Sequence, residues 1–194
     1  MVESQPAMIR AVIDACILAG TIRRHMVLLF AQDGLLEPIW SPRILQETQR
    51  AIPKTLKASD MDEATLTSHA GTVCDLILAS FPEALQEPQS MTLPAPLPDP
   101  DDEHVLQLAL SAGASVVVTE NLRDFPKKAL SGTGVRALNT DHFLTELAEQ
   151  SPDAAQRVMA NLIQIIDNPV FDEAACLARL KQVGLKRLAK TLAA

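Results

Sequence analysis

The chain has 194 residues, of which 47% are hydrophobic and 3% aromatic, with no tyrosine and a formal net charge of −7. That is enough apolar material for one good core, but too few rings for an aromatic platform on single-stranded nucleic acid and too acidic a body for a tight non-specific polyanion binder. The acidity is uneven: residues 1–150 hold 20 acidic and 11 basic residues, and residues 151–194 hold 4 and 6.

No apolar run approaches the ~20 residues of a membrane span. The start, MVESQPAMIR, has no secretory pattern. Met8 reads as a possible internal start, with residues 1–7 as a loose leader. Cys16, Cys74 and Cys176 are odd in number, widely spaced and without a C-x-x-C pair. They fit buried thiols of a reduced, cytoplasmic protein.

MIRAVIDAC opens as a buried parallel strand ending in Asp14. ILAGTIRRHMVLLFAQDG follows with helical spacing and closes at Asp33-Gly34. LLEPIW is a second short strand. SPRILQETQRAI starts a helix, with Ser41 as N-cap and Pro42 at the first helical position, which puts Glu47 on the second turn. SDMDEATLTSHAGTVCDLILASFP is a long helix expected to begin near Ser59 or Asp60 and to stop before Pro82. EPQSMTLPAPLPDPDD is irregular, with a short strand expected at Gln89–Leu93.

PDDEHVLQLALSAGA is a helix with acids in its first turn and Gly113 past its end. SVVVTE is the most strand-like segment. NLRDFPKKAL is a loop with a helical turn, VRAL a last short strand, and NTDHFLTELAEQ a helix capped by Thr140 or Asp141. This alternation predicts a parallel sheet covered on both faces. Ser151-Pro152 marks a boundary. Beyond it lie two or three short helices, with Pro169 and Gly184 at their junctions, forming a small helical extension over 151–194 after a domain over 8–150. Arg179, Lys181, Lys186, Arg187 and Lys190 interleave there with leucines. The pattern suits a helix docked through its leucines better than a basic binding surface.

Four acids fall where strands or helices begin or end: Asp14, Glu47, Asp102 and Asp124. Placed so, they can converge at one pole of a parallel sheet, where open α/β folds put their sites. Clustered carboxylates repel one another unless a cation neutralises them, and oxygen-only clusters suit Mg²⁺ or Mn²⁺. Each acid also has an ordinary reading: Asp14 as an N-cap, Asp102 as a first-turn helix acid, Glu47 on a helix surface, Asp124 in a loop. The constellation carries more weight than any member. Arg43, Arg123, Lys127 and Lys128 lie near the same pole and could contact phosphates, or be solvated charge. His25, His69, His104 and His142 have no metal-ligand spacing, which argues against Zn²⁺ and leaves His104 as a helix-surface residue. No G-x-S-x-G, P-loop or G-x-G-x-x-G occurs.

From Met8 to Leu147 the chain resembles the PIN-domain ribonucleases, in particular VapC-like toxins of bacterial toxin–antitoxin pairs. The resemblance rests on VIDAC, on Leu45-Gln46-Glu47, on D-P-D-D before an apolar helix, and on A-x-x-V-V-T-x-N-x-x-D-F from Ala114 to Phe125. It implies a three-layer α/β/α PIN-like fold around a parallel sheet, with the C-terminal helices as an extension seen in one branch of these toxins. It implies an endoribonuclease using one or two Mg²⁺ or Mn²⁺ ions, with RNA as substrate, a cognate antitoxin as inhibitor and a second copy as partner. The family's acids fall on Asp14, Glu47, Asp102 and Asp124, which as ligands need no unusual pKa, with Thr119 and Asn121 in support. Many relatives carry Gly-Asp where this chain has Glu120-Asn121. Either Asn121 or Asp124 could therefore complete the site, and a catalytically inactive module that binds RNA or protein is the rival reading.

Overall fold

The computed structural model describes residues 8–56, 62–166 and 171–194. Four short strands, β1 (Ile9–Ile13), β2 (Leu36–Ile39), β3 (Val116–Val118) and β4 (Arg136–Leu138), form one sheet of order β2-β1-β3-β4. Every pairing is parallel, with Ile9 opposite Leu36, Ala11 opposite Val116 and Val116 opposite Arg136. Parallel strands need covered crossovers, which explains the apolar runs: Val12, Ile13 and all of β3 are fully buried, so helices close both faces. This is the α/β/α arrangement of a PIN-like fold.

The sheet order reverses between β1 and β3, the two central strands. In such sheets the crevice beyond the carboxyl ends of the strands at that point is the natural site. Asp14 follows β1 and its amide N–H donates to the Val118 carbonyl (3.0 Å), while Thr119 follows β3. The two residues therefore sit side by side at that crevice.

The stretch after Asp14 is two helices, α1 (Ala15–Ala19) and α2 (Thr21–Gln32), broken at an extended Gly20, where the spacing predicts one. The break is held by Arg24, only 6% exposed, whose Nη1 donates to the Leu18 carbonyl at 2.7 Å. Helix α3 (Pro42–Thr55) starts as expected, with the Ser41 hydroxyl accepting from the Ile44 N–H and Pro42 at the first position. Helix α4 (Glu63–Ser80) is capped by Asp62, which accepts from Thr65 N–H; the expected starts, Ser59 and Asp60, lie outside the described residues.

Gln89–Leu93 is not a strand. The sheet-like contact of this region lies earlier, where Trp40 exchanges backbone hydrogen bonds with Ala84 and Gln86. The prolines that follow lack the N–H groups a ladder needs. A 3-10 turn, Pro100–Asp102, leads into α5 (Glu103–Ser111), which packs on β1 and β3. A second 3-10 turn, Leu122–Asp124, and α6 (Lys127–Leu130) follow β3. Asn139, not Thr140 or Asp141, caps α7 (Thr140–Gln150) by accepting from His142 N–H.

The tail forms α8 (Pro152–Ile165), α9 (Glu173–Gln182) and α10 (Lys186–Leu192); Pro169 lies outside the described residues. α8 packs on α2 and α10 on α7. Leu180, Leu188 and Leu192 are buried while Arg179, Lys181, Lys186, Arg187 and Lys190 face solvent, as a docked amphipathic tail requires. No helix among the described residues is long and apolar enough to cross a membrane.

Candidate active site

Asp14 occupies the N-cap position of α1, but its side chain makes no capping hydrogen bond. It is 7% exposed, and its Oδ2 accepts from the Thr119 hydroxyl (2.6 Å) and the Cys16 thiol (3.1 Å). The loop after β3 braces both donors: the Glu120 N–H donates to Cys16 Sγ (3.4 Å) and the Asn121 N–H to Thr119 Oγ1 (3.0 Å). Burial first, and then the charge of Asp14, push the Cys16 thiol up to about 12, so it stays protonated and acts as a donor.

Asp102 likewise precedes α5 without capping it; Asp99 does the capping of the preceding turn, accepting from the Asp101 N–H. Its carboxyl is pushed up to about 6, by burial first and then by the charges of Asp14, Asp124, Asp99 and Glu47. One carboxyl is thus within electrostatic reach of the other three candidate acids. Asp102 stands at the start of α5, whose Val105, Leu106 and Ala109 are fully buried.

Glu47 projects from the second turn of α3. Its Oε1 accepts from Arg43 Nε at 2.9 Å, the i,i+4 pairing that α-helical geometry favours, and lies 3.4 Å from His104 Nε2. Arg43 also donates through Nη2 to the Asp101 carbonyl at 3.1 Å. It therefore bridges α3 to the turn before α5, where the sequence suggested a free phosphate contact. His104, expected on a helix surface, is 8% exposed with its Nδ1 buried and unpartnered among the described residues. Burial lowers its pKa against the opposing pull of Glu47, so the ring is neutral. The only sequence hint was its place two residues after Asp102, at the start of a buried helical face.

Asp124 is largely buried, and Arg123 Nε approaches it at 3.9 Å. Arg123 itself, Lys127 and Lys128 are exposed. Glu120 turns away from the cluster: its Oε1 accepts from the Thr140 hydroxyl (2.6 Å) and pairs with Arg23 (3.5 Å). Glu120 thus ties the loop to α2 and α7, and Asn121 contributes its backbone N–H to the brace on Asp14.

Among the described residues, no three His, Cys, Asp or Glu side chains converge tightly enough to cage one ion by themselves. The donor set still fits Mg²⁺ or Mn²⁺. Mg²⁺ commonly uses one or two carboxylates, keeps several waters and takes further oxygens from substrate phosphates. A carboxyl lifted by burial and by its neighbours' charge is the electrostatic condition that a cation relieves.

Residues 10–123 match the PIN domain family. A Mycobacterium tuberculosis protein named "Putative ribonuclease VapC50" is 34% identical over 70 residues, a stretch covering 36% of this chain and 41% of that relative. No solved structure matches the chain. The parallel sheet and a match over more than half the sequence agree: the chain belongs to the PIN domain family.

Proposed function

We propose that the protein is a Mg²⁺- or Mn²⁺-dependent endoribonuclease, the toxin of a toxin–antitoxin pair. The observation that carries this reading is Asp102, lifted to about 6 by burial first and then by the charges of Asp14, Asp124, Asp99 and Glu47. Such a cluster is costly without a cation, and a phosphodiester is a substrate that would bring its own charge to one. Asp14 and Asp102 would be direct ligands, and Glu47 and Asp124 direct or water-bridged ones. Such an ion supplies Lewis acidity, screening the phosphate and acidifying water for attack on phosphorus.

The chain's own residues do the positioning. Thr119, itself braced by the Asn121 N–H, holds Asp14, and Asn121 or Asp124 would complete the loop side of the site. Exposed Arg123, Lys127 and Lys128 would meet the phosphates of an RNA strand entering over that loop, and Arg43 could join them on leaving Glu47. Hydrolysis breaks one phosphorus–ribose oxygen bond, and the proton released by the attacking water ends on the departing oxygen. The relative's printed name, a ribonuclease, supports this substrate class. An antitoxin would block the cluster by inserting an arginine, as Arg43 already does toward Glu47 within the chain. A cytoplasmic homodimer is the form we expect.

The test is cleavage of a structured RNA by purified protein with Mn²⁺, beside Asp14→Asn and an EDTA control. Loss in both controls is expected. Cleavage that survives Asp14→Asn would sink the assignment of the site. A protein that binds RNA without cutting it, with Mn²⁺ present and antitoxin absent, would favour a non-catalytic binding module.

A further inference from the structure

Building on the metal-dependent reading above, we propose that Cys16 is a positioning residue that makes Asp14 a one-oxygen ligand and biases the site toward Mg²⁺ and Mn²⁺ over Ca²⁺. The argument is one of hydrogen-bond direction. Thr119 Oγ1 and Cys16 Sγ both lie against Asp14 Oδ2, at 2.6 and 3.1 Å. Each also accepts from a backbone amide, Asn121 N–H on Oγ1 and Glu120 N–H on Sγ. A carboxylate can only accept, so the O–H and S–H protons both point at Oδ2. That oxygen is occupied twice over. Among the described residues Oδ1 accepts no hydrogen bond.

Glu47 repeats the pattern. Its Oε1 accepts from Arg43 Nε and faces His104 Nε2, and among the described residues Oε2 accepts none. Two acids from separate elements therefore each present one free oxygen. Ca²⁺ collects six to eight oxygens and readily takes both from a carboxylate, whereas Mg²⁺ holds a small octahedral shell filled out by water. Holding back one oxygen per acid selects the smaller ion. Thr119 alone leaves Oδ2 with one donor and the Asp14 carboxylate free to rotate about its last bond. The thiol supplies the second contact that stops it.

The experiment is calorimetric titration of the full chain with Mn²⁺ and, separately, Ca²⁺, for wild type, Cys16→Ala and Cys16→Ser, with Asp14→Asn as the non-binding control. Thermal melting confirms that each variant is folded. Wild type should prefer Mn²⁺. Cys16→Ala should lose about tenfold in Mn²⁺ affinity and narrow the Mn²⁺/Ca²⁺ ratio, as loss of a group orienting a metal ligand does. Cys16→Ser, whose hydroxyl can donate along the same line, should restore the ratio. An unchanged ratio in Cys16→Ala, or failure of serine to restore it, overturns the role of Cys16 while leaving the metal site standing. Wild type that binds no Mn²⁺ overturns the metal reading itself, and this inference with it.

Discussion

At the scale of single residues, Asp102 couples the site to pH. Its value in the folded chain, about 6, lies above its ordinary 3.8, so the native state holds this proton more tightly than the unfolded chain does. The stability that follows is fully present below about pH 3.8 and is lost as pH rises through about 6. Cation binding runs the other way, because a ligand carboxyl must give up its proton. Mn²⁺ affinity should therefore fall about tenfold from about pH 7.5 to about pH 5, the penalty for ionising a group one unit below its pKa. Asp102→Asn should bind more weakly and flatten this step. Titrations at the two pH values decide it, and an equally steep step in the variant would move the dependence to another acid. Asp102 was legible as a site candidate because it stands before a buried helical face. Its raised pKa was not, since it depends first on burial and then on the charges of acids that, apart from Asp99, the sequence leaves far away.

At the scale of elements, the sequence and the structure part at Gly20. Apolar spacing runs unbroken from Ile17 to Phe30 and reads as one helix, yet the backbone opens at Gly20. Periodicity reports which face is buried; it does not report whether a buried cation can satisfy carbonyls at a break. Arg24 does so, donating to Leu18 O and, at 3.5 Å, to Ala19 O. Two neighbouring arginines looked alike in sequence and do different work, since Arg23 faces outward to Glu120 and to the Val183 carbonyl. Arg24→Met keeps the bulk and removes the donors, leaving the buried Leu18 carbonyl without its partner, while Ala19 O keeps the Thr55 hydroxyl. It should cost about 1–3 kcal/mol in urea unfolding. Ser41→Ala, which removes only the cap of α3, should cost about 1 kcal/mol. An Arg24→Met chain as stable as wild type would mean that water reaches α1's end. The start of α3 was legible because Ser41-Pro42 states the cap and the first turn locally, whereas the α1–α2 break is set by a residue four positions on.

At the scale of the whole molecule, the acids come from four separate places: the end of β1, the second turn of α3, the turn before α5 and the turn after β3. The central sheet and its pole were readable because parallel strands leave continuous apolar runs with a polar residue at the exit. Who packs on whom was not, and the tail is where that matters. Val158, Leu162, Leu180 and Leu188 belong to the same apolar cluster as Val12 and Val117. Polar ties reinforce the seam. Arg157 pairs with Asp33 at 2.6 Å, the Asp141 carboxylate accepts the Arg187 and Leu188 amides that open α10, and Arg23 links Glu120 in the site loop to the Val183 carbonyl in the tail. An extension held only at its rim would melt alone. One that shares the core must melt with it, because removing it uncovers apolar faces of α2 and α7 that water then has to hydrate. We therefore expect the full chain to unfold in a single transition, and a chain ended at Ser151 to bind a hydrophobic dye and lose its sharp melt. If that shortened chain keeps the full-length midpoint, residues 151–194 are a separate appendage, and the link from Val183 through Arg23 to the site loop carries no weight in holding the acids in place.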